Sequence, residues 1–127
     1  MHAAQYQQRP DTPEGALIKR KYIQVIAPSH AIRPGGRYWV SIDSALSTSE
    51  SADYSAISLG YSNPQGHYVL FAERGRWDYE TLRAKASAYA KKYRGVTFIV
   101  EAAGSGISLI CSLRKAGLSC RCAEGRR

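Results

Sequence analysis

Residues 37–61 read RYWVSIDSALSTSESADYSAISLGY. Tyr38, Val40 and Ile42 alternate with Trp39, Ser41 and Asp43, the period-two signature of a strand with one face toward a core. The strand runs straight into the carboxylate of Asp43. A loop of small polar residues follows, with a serine-rich tract at 47–51, and carries Glu50 and Asp53. A second strand begins at Tyr54 and puts Ile57, Leu59 and Tyr61 on one face. An acid that ends an apolar strand is either a turn residue bonded to backbone or a charged group delivered to a site.

Working outward, SNPQG at 62–66 is a turn by composition and HYVLFAER at 67–74 a third strand, so residues 54–74 form a hairpin. WDYETLRAKASAYAKKYRG (77–95) is a helix. Asp78 is placed to cap its first turn, and Gly95 closes it. Tyr79, Leu82, Ala86, Tyr89 and Tyr93 recur at helical spacing as its apolar face. VTFIV (96–100) is a continuous apolar run, which predicts a strand of a parallel pair covered on both faces. It ends in Glu101, a charge beside a buried strand. AAGSGISLICSLRKAG (102–117) is a second helix, capped by Ser105 and closed by Gly117, and LSCRC (118–122) is a last strand. The order is β-β-β-α-β-α-β, an α/β chain.

The first 36 residues differ. QYQQRPDTPEG and APSHAIRPGG hold four of the five prolines, and ALIKRKYIQVI between them reads as a short strand or turn of helix. Residues 1–36 therefore read as a linker or the end of a preceding region, and 37–127 as the folded unit.

The ordered words SIDSA, DYSAISLGY, GHYVLFAERGRWDYETL and FIVEAAGSGISLICSLRKAGL resemble the nuclease domain of the large terminase subunits of tailed phages, a ribonuclease H-like fold. QYQQRPDTPEG resembles the segment that joins their ATPase region to the nuclease. The resemblance implies a mixed sheet: the first three strands antiparallel, the fourth and fifth parallel to the first, helices packed on it, and a C-terminally incomplete domain. It implies metal-dependent endonucleolytic cleavage of duplex DNA during genome packaging, in the host cytoplasm, with the terminase small subunit and the portal as partners. By position, the family's first metal-binding aspartate falls on Asp43 and the acid of its fourth strand on Glu101. Asp53 is an auxiliary acid. The cofactor implied is Mg²⁺ or Mn²⁺, two ions about 4 Å apart in the intact family site. The family's third catalytic aspartate and its Walker A motif have no match here, so the same resemblance also fits an inactive remnant that binds DNA or protein. Another nuclease of this fold, such as a junction resolvase, is a further alternative.

Oxygen ligands suit these ions, which explains why carboxylates should end the strands. If the strands ending in Asp43 and Glu101 are neighbours, about 4.8 Å apart, the two acids face each other across one gap. GSG at 104–106 opens the second helix beside them. A lone GxG is too short for a dinucleotide signature, so close backbone packing is expected there.

Of 127 residues, 18 are Lys or Arg and 10 Asp or Glu, a formal charge of +8 that favours polyanionic partners. Arg74, Arg76, Lys115 and Arg121 are the candidate DNA contacts, holding backbone without reading bases. Three cysteines, Cys111, Cys120 and Cys122, make no even framework, and His2, His30 and His67 follow no finger spacing. Zinc is disfavoured, and buried free thiols are expected. No apolar run is long enough for a membrane span, and residues 1–20 lack a secretory core.

Overall fold

The computed structural model describes residues 21, 23–27, 32, 34–44 and 54–123. Among them the elements are β1 (Arg37–Asp43), β2 (Ser55–Asn63), β3 (Gly66–Gly75), α1 (Tyr79–Lys92), β4 (Thr97–Glu101), α2 (Gly106–Lys115) and β5 (Ser119–Ala123). They build one 5-stranded sheet in the order β3-β2-β1-β4-β5. β1 pairs antiparallel with β2 and β2 with β3, while β4 runs parallel to β1 and β5 parallel to β4. The expected order of elements and the expected strand directions are those observed. Residues 23–27 form neither strand nor helix, and most of the stretch read as a linker lies outside the described residues.

Alternation decides the faces. Val40 and Ile42 of β1, Ile57 and Leu59 of β2, and Phe98 and Val100 of β4 point to one side. There they cluster with Leu82 and Ala86 of α1 and with Leu109, Ile110 and Leu113 of α2. Both helices therefore cover the same face. The opposite face carries Trp39, Ser41, Asp43, Ser58, Thr97, Ile99, Glu101 and Arg121, and no described helix lies on it. This corrects the reading of VTFIV as covered on both sides. In β4 only Phe98 and Val100 are buried, and Ile99 is partly exposed. A run of apolar residues cannot report which neighbours the chain will supply.

The helix ends follow local chemistry. The Asp78 carboxylate accepts from Thr81 N at 2.8 Å, as its position predicted. Gly95 and Gly117 follow the two helices with φ of 77° and 82°. Ser105 sits at the N-cap of α2, but its hydroxyl makes no cap bond. It pairs instead with Ser44 Oγ at 2.7 Å, which corrects the expected cap. The hairpin turn is held by Asn63 Oδ1, which accepts from Gln65 N and Gly66 N. Cys120 is buried and free as expected, whereas Cys111 and Cys122 are exposed. Cys122 shares the face of Cys120 but lies one turn of the pleat nearer the strand end.

Tyr89, on α1, donates its hydroxyl to Glu73 Oε2 at 2.7 Å. Burial, and then this bond and the nearby Glu73 charge, push its phenol above the ordinary value. The folded state thus keeps a proton that the unfolded chain releases above about pH 10. The resulting stability is complete below that pH and declines as pH rises past it. Cys120, also pushed up by burial, acts in the same direction from about pH 9. The urea midpoint should fall on going from about pH 8 to about pH 11, and fall less in Tyr89→Phe. An equal fall in both proteins would show that this phenol does not contribute.

Candidate metal and nucleic-acid site

β1 and β4 are the central parallel pair, with Ile42 opposite Val100. The next residue of each strand is an acid, so Asp43 and Glu101 end neighbouring strands at the same level and on the face where no described helix lies. Asp43 is exposed and Glu101 partly buried. Strand spacing puts their backbones about 4.8 Å apart. The buried Val40, Ile42, Phe98 and Val100 pin both strands, so the backbones of the two acids are held side by side.

The start of α2 closes against this pair. Glu101 O accepts from Ala103 N at 2.9 Å, so the chain turns at once after β4. A Cβ on Gly106 would overlap the Glu101 carbonyl oxygen, so only glycine lets the helix begin this close. Close packing at GSG, as expected, is what the second of its glycines does. The Ser44–Ser105 hydroxyl pair ties the residue after Asp43 to the same helix start. Ser105 was read as a helix cap and Ser44 was not singled out; their pairing could not be foreseen, since hydroxyl pairing across 61 positions has no local signal.

Asp43 is also paired across β2 with Ala56, and Ala56 with Arg74 on β3. One row of the open face therefore runs Arg74, Ala56, Asp43, Glu101, Ala123. Arg74 and Arg76 both stand over the ring of Tyr54, each with its guanidinium carbon 4.6 Å from the ring centroid. Tyr54 was not singled out in the sequence. Arg121 is on the same open face, opposite Ile99 on β4. Lys115 is not brought to the site. It is the last residue of α2, whose first turn abuts Glu101, and a helix of 10 residues is about 15 Å long. Asp53 lies outside the described residues.

The donor set fits a hard divalent cation. Mg²⁺ is commonly held by one or two carboxylates, with water and substrate phosphate filling the rest of its shell. Among the described residues no group of three or more His, Cys, Asp or Glu gathers into a ligand cluster, so Asp43 and Glu101 are the pair to consider.

The chain matches no known family model and no curated protein sequence. Its fold is similar to solved structures. The large terminase nuclease from thermophilic phage G20c, with bound magnesium, superposes at a TM-score of 0.52 with 17% identity, over 75% of this chain and 48% of that one. The same nuclease with bound zinc gives 0.51 and 16%, over 75% and 52%. This chain spans about half the length of those nucleases, at 48% and 52%. At such identity the likeness is one of architecture: a mixed five-stranded sheet with two helices, of the ribonuclease H-like kind that these nucleases also have.

Proposed function

We propose that this chain carries the paired-acid part of a terminase-type nuclease, and that Asp43 and Glu101 hold a divalent metal ion for phosphodiester hydrolysis in duplex DNA. The observation that carries the reading is the β1–β4 register, Ile42 against Val100, with an acid next on both strands. The fold likeness to a terminase nuclease solved with bound magnesium supports it. The setting in this reading is genome packaging, with the small subunit and portal as partners of the whole enzyme.

A divalent ion at this place supplies Lewis-acid stabilisation of a phosphodiester oxygen and acidifies bound water. The protein's own part is to hold the carboxylates. Backbone pairing fixes their separation, and buried side chains beneath them fix their height above the sheet. The tight turn after Glu101 and the Gly106 contact keep that strand end from drifting. Two carboxylates brought close to one another would repel, and a bound cation would remove that repulsion. Asp53 is proposed as an auxiliary ligand from the loop between β1 and β2.

The test is calorimetric titration of Mn²⁺ into the wild type, Asp43→Asn and Glu101→Gln. With two carboxylates and no substrate phosphate, the wild type should bind weakly, at about millimolar Kd. Each variant should bind at least about tenfold more weakly, because either change removes half the ligand charge. Equal binding by all three overturns the assignment. A plasmid-nicking assay with Mn²⁺ then separates the readings: nicking lost in Asp43→Ala marks a nuclease, and metal binding with no nicking marks a site that needs further ligands.

A further inference from the structure

The arginines at the end of the β2–β3 hairpin form a unit that the paired acids do not explain. Tyr54 is the residue before β2, and Ser55 is opposite Gly75. Continuing that register places Tyr54 across from Arg76, with Arg74 on the diagonal, all three on the open face. Both guanidinium carbons lie 4.6 Å from one ring centroid. Two like charges drawn to the same ring is an arrangement that needs something to offset their repulsion. The ring face does part of this. Neither arginine takes part in the ion pairs of the described residues, which are Arg83–Glu80 and Lys85–Glu73. Both arginines and Tyr54 are exposed, with Tyr54 47% accessible. Two guanidiniums with no acid partner among the described residues, oriented by a shared aromatic and exposed, match a phosphodiester backbone, which accepts forked hydrogen bonds from planar donors.

Position gives the unit its register. Arg74 lies two strand spacings from Asp43 in one row, about 10 Å, which corresponds to about three nucleotides of axial rise in one DNA strand. We infer that Tyr54, Arg74 and Arg76 form a backbone clamp for duplex DNA, which grips the strand a few nucleotides from the position of Asp43 and Glu101. Tyr54 is its positioning residue: it holds both guanidiniums and does not itself contact the phosphate. The inference rests on the nucleic-acid reading above. It adds the binding element, and it explains why two arginines flank a tyrosine at the mouth of this hairpin.

The experiment measures duplex affinity in EDTA, so that no metal ion contributes. A short mixed-sequence duplex is titrated at several salt concentrations, for wild type, Arg74→Ala, Arg76→Ala, the double variant, Tyr54→Phe and Tyr54→Leu. The control is Lys91→Ala, an equal charge change on the helix-covered side of the molecule. Each arginine change should lower the log–log salt slope by about 0.9, and the double by about 1.8. Tyr54→Phe should keep the wild-type slope, because the ring face is retained. Tyr54→Leu should lose slope although both arginines remain. Thermal midpoints of the variants should match the wild type. Lys91→Ala should leave the slope unchanged. The clamp is overturned if Lys91→Ala lowers the slope as much as the arginine changes do. Tyr54→Phe and Tyr54→Leu behaving alike would also overturn it, as would a wild type that binds only single strands or no DNA. Metal binding is read in a separate titration on Asp43 variants. A clamp that works in a protein without Mn²⁺ binding leaves this inference standing and removes the nuclease reading, and the reverse pattern does the opposite.

Discussion

Phe98→Ala should cost about 3–5 kcal/mol of folding stability, whereas Ile99→Ala, the next residue along the same strand, should cost about 1 kcal/mol or less. Phe98 is the largest fully buried side chain among the described residues and sits in the cluster that joins β1, β4 and both helices. Removing its ring leaves a cavity that strands pinned on both sides cannot close. Ile99 points to the face where no described helix lies. Domains of this size have about 5–15 kcal/mol in total, so the Phe98 variant should be largely unfolded under mild denaturant. Urea midpoints for the two variants against wild type make the comparison. Equal losses would mean that the open face is covered and that β4 is buried on both sides, as its apolar run alone suggests.

The second large effect belongs to Gly106. Gly106→Ala places a methyl into the Glu101 carbonyl oxygen, a backbone atom that cannot turn aside. Either α2 lifts from the sheet or the end of β4 bends. Overpacking of this kind costs about 1–3 kcal/mol. It should also disturb the acid pair, because Glu101 is the residue displaced, so Mn²⁺ affinity should fall together with stability. Gly117→Ala is the matched comparison. It too imposes a cost, about 1–2 kcal/mol for a non-glycine residue in left-handed backbone, at φ 82°. A Cβ there meets nothing within 4 Å, and the residue lies at the other end of α2 from Glu101. It should lose stability and keep its metal affinity. If Gly106→Ala also kept its affinity, the contact would serve helix packing alone.

Much of this molecule was legible in its sequence, and each part for a local reason. Period-two alternation marked β1 and β2, because a half-buried strand must show one apolar face. The Tyr79, Leu82, Ala86, Tyr89, Tyr93 spacing marked α1, Asp78 its cap, and Gly95 and Gly117 the helix ends, because those backbone shapes favour few residues. The acids ending two strands were visible as acids. Their being neighbours was expected from a resemblance, and the β1–β4 pairing in the structure puts them side by side.

Three features were decided only by tertiary structure. Which face the helices cover depends on chain packing across the whole sheet, so the apolar run at 96–100 could not report that Ile99 is left partly exposed. The Ser44–Ser105 pair depends on where β1 and α2 end in space. The third is the β2–β3 bulge. Pairing counted outward from Asn63 opposite Gly66 would set Tyr54 against Gly75 and put Glu73 in the row of Asp43. The register instead shifts between Leu59 and Gly60, so that Ala56 meets Arg74, and Glu73 turns to the helix side to accept from Lys85 and Tyr89. A one-residue slip exchanges the faces of every later side chain. Here it takes a carboxylate off the open face and puts a guanidinium in its place. The sequence by itself determined the strands, the helices and the chemical groups available. The bulge, a register shift that exists only in the paired strands, decided which of those groups share the row of Asp43.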